Sequence, residues 1–365
     1  HHWQEYRHCQ PLNTLTDHDL HDTTILQYTG GTTGLAKGVM LSHYNLLANL
    51  TQIPSHLPPM LYQQGNNVVL TALPLYHIFS LMVSWVTLQQ GGQNLLVTNP
   101  RDIKGLIKLF KTKTIHAIPI LQTLMDKLLK HPSFSGIKWH HLVATITGGM
   151  ATRHATAQQW HRTTGCIVQQ GYGLSETSPV ITLSQHQYAF DTHVGTAIPM
   201  TQLRIINKQG QACQAGDIGE ILVKGPQITS GYWGKPDENR SLFHQGWLKT
   251  GDLGCLNECN QLIIKDRLKD MIVVSGFNVY PSEVEQVIQH YQGITEVCIV
   301  GQRIKHTEQV VAYYTSQKPI PEYKLRSFCE QHITHYKIPT RWHRIKEIPK
   351  STIGKVLKKS LKSAK

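Results

Sequence analysis

The sequence predicts an α/β fold in two parts. Up to Tyr188, β-branched apolar runs alternate with helical patterns, the mark of a layered and largely parallel sheet. From there to residue 269, short strands are set off by Gly, Pro and Asn turns, which reads as a β-rich subdomain. Beyond Asp270, strands and helices alternate again over a stretch long enough for a small α+β domain. The expected domains are therefore 1–269 and 270–365.

In chain order, Thr24–Tyr28 reads as a strand entering a Gly/Thr loop. Ser42 is suited to cap a helix running to Leu50. Val68–Leu73 reads as a strand, Pro74 breaks it, and a buried helix follows. Leu95–Val97 gives a short strand, Ile103–Lys111 a helix, and Ile115–Ile118 a strand. Leu121–Lys130 is a helix that stops before Pro132, and Leu142–Thr147 is a strand ending at Gly148-Gly149. Leu203–Asn207, Gly219–Lys224 and Gln261–Lys265 supply the β-rich part. In the last part, Met271–Val274, Val297–Val300 and Val310–Tyr314 read as strands, and Glu322–His332 as a helix. Pro281 opens another helix, with Ser282 and Glu285 at the spacing of a capping box.

Composition narrows the function classes. The 36 Lys+Arg exceed the 23 Asp+Glu by 13, which suits an anionic partner. No nucleic-acid-binding signature accompanies the charge, so nucleic acid is not the expected partner. The densest basic cluster is terminal (Lys355, Lys358, Lys359, Lys362, Lys365) and reads as a solvated face, or else as a contact to anionic lipid. The seven cysteines are odd in number and widely spread, as expected of free thiols in a reducing cytoplasm. Cys329, His332 and His335, and Asp17, His18, Asp19 and His21, are weak candidates for metal ligands. Val68–Leu88 has no charged residue, but Pro74, His77, Ser80 and Ser84 interrupt it, which favours a buried strand and helix over a membrane span.

Several segments carry chemistry. Thr29-Gly30-Gly31-Thr32-Thr33-Gly34-Leu35-Ala36-Lys37 follows a strand directly. Its glycines free backbone N–H groups to turn inward, its threonines add hydroxyls, and Lys37 adds a charge, together a cradle for polyphosphate. It is neither a P-loop nor GxGxxG. Gly171-Tyr172-Gly173-Leu174-Ser175-Glu176 reads as a second such turn, with Glu176 placed to hold Mg²⁺ and Tyr172 offering a flat face to a base. Asp252 could accept two hydrogen bonds from a ribose diol. Asp266–Asp270 is a charge run at the expected boundary, and Lys355 follows a Gly turn near the end.

Each segment is weak alone, but their order is specific. Together with Leu73–Phe79 and Gly276–Pro281 they resemble the adenylate-forming superfamily of acyl-CoA synthetases, luciferases and adenylation domains. The chain looks most like the bacterial long-chain fatty acid–CoA ligases, from about Thr23 to Lys358. The resemblance implies two steps. A fatty carboxylate attacks the α-phosphate of ATP, with Mg²⁺ present, giving acyl-AMP and pyrophosphate; the thiol of coenzyme A then displaces AMP. By resemblance, Thr29–Lys37 would clasp the phosphates and Glu176 the metal. Tyr172 would stack on adenine beside Gly149, with Gly171, Gly173 and Ser175 around it. Asp252 and Arg267 would hold the ribose, His77 would sit at the acyl carboxylate, and Lys355 would stabilise the charge of adenylation. Lys269 would be the hinge of a mobile C-terminal domain, which after rotation presents Ser275, Gly276, Phe277 and Asn278 to the pantetheine.

Ala36 and Ala151 stand where the family usually has Pro, which suggests looser loops rather than lost chemistry. Family members carry a longer segment ahead of the phosphate loop, whereas 28 residues precede Thr29 here, so the first domain is expected to be incomplete at its N-terminus. Transfer to a carrier protein, and an inactive fragment, stay open as alternatives. The expected setting is the cytoplasm. Peripheral association with the inner face of the membrane and a homodimer are both open.

Overall fold

The computed structural model describes residues 17–29, 36–63, 65–187, 190–304, 307–351 and 356–362. Strands β1 (Thr23–Thr29) and β2 (Lys37–Ser42) form an antiparallel hairpin with Thr29 opposite Lys37. Ser42 caps α1 (His43–Gln52) as expected: its Oγ accepts the Asn45 amide, and Asn45 Oδ1 accepts the Ser42 amide. Strand β2 itself was not foreseen.

After α2 (Met60–Gln63), the uncharged run divides at Pro74 into β3 (Val68–Thr71) and α3 (Ile78–Gln89). The alternation continues through β4 (Gln93–Leu96), α4 (Ile103–Thr112), β5 (Ala117–Pro119) and α5 (Gln122–Leu129). It ends with β6 (Ala144–Thr147), α6 (His154–Thr164) and β7 (Val168–Gly173). The strands lie in the order β4-β3-β5-β6-β7, all parallel. The sheet then turns antiparallel at β8 (Val180–Leu183) and β9 (Thr196–Ala197). Its principal core is built around Trp160, Phe134, Met125 and Leu128, all essentially inaccessible. Burying each such side chain contributes about 1.5–3 kcal/mol. Among the described residues, no helix is long and apolar enough to cross a membrane.

The β-rich part contains β10 (Gln202–Ile206), β11 (Gly219–Lys224), β12 (Gly231–Tyr232) and α7 (Pro236–Leu242). It continues with β13 (Phe243–His244), β14 (Trp247–Leu256) and β15 (Leu262–Arg267). Four of these strands follow the order β10-β11-β14-β13, with β15 also on β14. Strand β12 instead pairs with β2 and closes a small separate sheet. Asn49, wholly buried on α1, fastens that region to the main sheet by bonds to the backbone N–H and C=O of Val180.

The remaining elements begin with the hairpin β16 (Ile272–Val274) and β17 (Phe277–Val279), then α8 (Pro281–Gln289). Strands β18 (Ile294–Ile304) and β19 (Thr307–Ser316) are antiparallel. Helix α9 (Glu322–Glu330) leads to β20 (Arg341–Arg344), parallel to β19, and α10 (Lys358–Lys362) closes the chain. Pro281 occupies the first turn of α8 as expected, but the capping box does not form. Ser282 donates its N–H and hydroxyl to Asp266 Oδ2 at 2.8 and 2.6 Å. Glu285 Oε1 accepts the Ile299 amide and pairs with Lys358. Tertiary partners win over the local pattern because both are charged or geometrically fixed. The terminal basic cluster is also not simply solvated: Lys358 pairs with Glu285 at 3.1 Å and Lys362 with Asp270 at 3.8 Å. Cys329 is buried in the core beside α8, and His332 turns its Nδ1 to the Phe328 carbonyl. Among the described residues, no group of three His, Cys, Asp or Glu side chains is placed to hold a metal.

Candidate active site

A cavity of about 650 Å³ opens where the C-terminal ends of β3, β5, β6 and β7 meet the β1–β2 hairpin. This is where an open α/β sheet presents loops to a ligand. Of the residues singled out from sequence, Thr29, Lys37, His77, Gly149, Gly171, Tyr172, Gly173, Ser175, Glu176, Arg267 and Lys269 all line it. They come from six separate stretches of chain, so the fold assembles what sequence order only suggested. Gly30, Gly31, Thr32, Thr33, Gly34 and Lys355 lie outside the described residues.

Gly171–Gly173 form the end of β7 rather than a turn, and a single 3-10 turn (Ser175–Thr177) follows. A side chain on Gly173 would collide with the Pro179 carbonyl oxygen, its Cβ only 1.8 Å away. The glycine therefore lets two backbones close over the cavity wall. Gly149 follows β6 with φ of +75°, which favours glycine there.

Asp252 sits behind this wall on β14 and is only 3% exposed. Its Oδ2 accepts the Tyr172 hydroxyl at 2.7 Å, and its Oδ1 pairs with Arg267 Nε at 2.7 Å. Burial, then the Asp252 charge, push the Tyr172 phenol well above its ordinary value, so it stays a donor. The carboxylate thus fixes the pitch of the Tyr172 ring and the reach of Arg267 at once. Nearby, burial and then Arg267 lower the Lys269 ammonium from its usual range.

Glu176 Oε1 accepts the hydroxyl of Tyr232, which comes from β12, at 2.6 Å. Burial and then Glu176 push that phenol well up. Lys37 lies 4.8 Å from the Tyr232 ring centre and 3.9 Å from Glu238. Tyr232 was not a sequence candidate. Its segment holds no motif, and its role depends on β12 joining β2 across nearly the whole first part of the chain.

His77 caps α3, its Nδ1 accepting the Phe79 amide at 3.3 Å. That leaves the ring proton of the neutral side chain on Nε2. Beyond it the cavity loses its charges: Ile53, Leu57, Leu61, Val69, Ile78, Met82, Val83 and Val86 line the far half. Ser351 and Leu357, which flank the Lys355 segment, line the near half. Ser275, Gly276, Phe277 and Asn278 do not join this cavity. They form the turn and second strand of the β16–β17 hairpin, where Ser275 and Gly276 line a separate depression with Arg303 and Thr307. Phe277 is 56% exposed and stacks on Tyr336 at 4.8 Å.

The arrangement offers cations, one carboxylate near the opening and glycine-edged backbone at one end, with an apolar sleeve at the other. It can hold an anionic, planar ligand beside an aliphatic one.

Comparison with known proteins agrees. The model of the AMP-binding enzyme family matches residues 3–233, and that of the AMP-binding enzyme C-terminal domain matches residues 283–355. A long-chain-fatty-acid–CoA ligase of Salmonella typhimurium is 40% identical over 345 residues, covering 93% of this chain and 61% of that protein. The chain therefore spans less than two thirds of that relative's length. Among solved structures, ATP-bound MatB from Rhodopseudomonas palustris superposes with a TM-score of 0.88 at 29% identity, covering 95% of this chain and 69% of that one. O-succinylbenzoate coenzyme A synthetase of Bacillus subtilis, in complex with ATP and magnesium, gives 0.86 at 26% identity, covering 99% and 74%. With a family model spanning well over half its residues and the same fold in these neighbours, the chain belongs to the AMP-binding enzyme family.

Proposed function

We propose that the chain is the nucleotide- and acyl-binding part of an AMP-forming fatty acid–CoA ligase, acting on long-chain acids. One observation carries the reading: a single cavity joins a charged, glycine-edged end to an uncharged apolar end. Helix α3 has 12 residues, so the wall it lends is roughly 18 Å long at 1.5 Å per residue. A hydrocarbon with bonds of ~1.5 Å can lay roughly a dozen methylenes along it. The names of relatives at about 40% identity agree with that substrate class.

In this reading ATP lies at the near end. Tyr172 stacks on the base, and Arg267, held by Asp252 behind the wall, meets the ribose. Lys37 and the Thr29 turn meet the phosphates. Glu176 fits Mg²⁺, which keeps several waters and takes one or two carboxylates plus phosphate oxygens. The Tyr232 bond occupies one Glu176 oxygen and orients the other. The metal supplies charge neutralisation on the phosphates when bound. The fatty carboxylate reaches the α-phosphate near His77, where positioning and electrostatics are the protein's main contribution. Lys355 neutralises the charge that builds there.

Coenzyme A is the second substrate. The domains 1–269 and 270–365 move about Lys269 between the steps. Support for motion is that Ser351 and Leu357 face the cavity while Ser275–Asn278 lie elsewhere, so one arrangement cannot serve both partners. The test is fatty-acid-dependent exchange of pyrophosphate into ATP by the full protein, across a chain-length series. Exchange rising toward long chains is expected; none with any fatty acid would refute the reading.

A further inference from the structure

The terminal basic cluster has work that neither its charge nor the nucleotide site accounts for. The chain leaves β20 and reaches the cavity through a narrow neck. Lys350 and Val356 form an antiparallel bridge, and the Leu357 amide donates to the Pro349 carbonyl at 2.8 Å. Ser351 and Leu357, one on each side of that neck, line the cavity. The chain between them carries Lys355.

Both arms of the neck are tied down by ion pairs to the same body. Lys350 pairs with Glu296 on β18. Lys358 Nζ lies 3.1 Å from Glu285 Oε1 on α8, with 18% and 26% of the two side chains exposed. Glu285 is itself fixed, since the same oxygen accepts the Ile299 amide at 2.8 Å. One turn on, Leu361 is buried with Cys298, Val300, Val311, Tyr313 and Ile348. Lys362 meets Asp270, beside the proposed hinge, at 3.8 Å. Burial opposes the charge on Lys358, but Glu285 and then Asp266 outweigh it and raise its pKa.

We propose that Lys358 is a positioning residue, and that its pair with Glu285 sets where Ser351 and Leu357 meet the cavity. This rests on the ligase reading for its catalytic consequence and on geometry alone for its structural one. A displacement of about 1 Å at the reacting centre can cost about a hundredfold in rate. Lys358 touches no reacting atom, so its effect falls on the step that needs those two residues in place.

The experiment compares Lys358→Met and Lys358→Arg, both in the full protein. Hydrogen exchange at the Leu357 amide reads the neck directly. Fatty-acid-dependent pyrophosphate exchange reads the first half-reaction, and thioester formation from supplied acyl-adenylate reads the second. Lys358→Met should lose Leu357 protection and about a hundredfold of the first half-reaction, with the second within about twofold. Lys358→Arg should stay near the parent in both signals. Unchanged Leu357 protection in Lys358→Met would overturn the proposal. So would equal loss of both half-reactions in Lys358→Met. If the parent shows no exchange with any fatty acid, the ligase reading falls, and the Leu357 amide still decides the clamp.

Discussion

Replacing Tyr172 by Phe removes one oxygen from the cavity wall and tests the wall's central bond. The hydroxyl donates to Asp252 at 2.7 Å, and Asp252 is 3% exposed, so water does not screen the bond. A hydrogen bond to a charged group is worth about 1.5–3 kcal/mol. Arg267 still holds the other oxygen, so the carboxylate is not stranded, and the loss belongs near the low end, about 1.5–2 kcal/mol. Asp252→Ala removes both bonds. It strips the Tyr172 hydroxyl of its charged acceptor, while Arg267, whose side chain is 35% exposed, turns to water at less than about 1 kcal/mol. That totals about 3 kcal/mol. Because both changes destroy the same bond, the double variant should be hardly worse than Asp252→Ala. Urea unfolding of the four proteins measures this directly, with a coupling energy of about 1.5 kcal/mol expected. Additive losses, with a coupling below about 0.5 kcal/mol, would refute the reasoning.

Other perturbations follow from the same geometry. Val86→Trp should block the apolar half of the cavity, lowering exchange with hexadecanoate at least about tenfold while sparing short acids, since overpacking acts locally; equal loss across the chain-length series would contradict that placement. Trp160→Phe should destabilise by about 2–3 kcal/mol, because Trp160 is fully buried and its Nε1–H donates to buried Thr145 Oγ1 at 3.0 Å; a denaturant midpoint equal to the parent's would contradict it. Burial, then Glu285, push the Cys298 thiol up to about 12, and burial pushes Cys329 up to about 11. Both are raised, so their stabilising effect is complete below the ordinary thiol value and is lost as pH climbs through 11 to 12, which pH-dependent melts would show. Among the described cysteines, exposed Cys259 should alkylate well before Cys298 and Cys329 at pH 8, as peptide mass mapping would report.

Much of the architecture was legible because local chemistry and tertiary structure agree. Ser42 is followed at the right spacing by Asn45, and the cap forms. Pro74 splits an uncharged run into strand and helix, as ring geometry demands. Agreement failed where a partner lies far along the chain. Tyr232, on β12, acquires its bond to Glu176 only by pairing with the distant strand β2. Helix α6 escaped notice because only Thr156, Ala157, Trp160 and Thr164 point inward, too few apolar residues for a clear period. The supposed capping box shows the opposite error: Ser282 and Glu285 have the right spacing, yet Asp266 and Lys358 claim them. The candidate site was legible as an ordered set of motifs, and its parts do converge on one cavity. Ser275 and Gly276, which the resemblance brings in only after a rotation, line a separate depression.

The two halves of the cavity draw on different parts of the chain. The polar end is made mainly by β7, β14, β15 and the hairpin that receives β12. The apolar end is made mainly by β3, α3 and the turn after α1. Separate walls can be altered separately. A change of side-chain volume on α3 would retune which acid fits, with the groups that meet the nucleotide left as they are. A lineage could therefore exchange one acid for another by a few apolar substitutions, keeping one activation chemistry while its diet of substrates drifts.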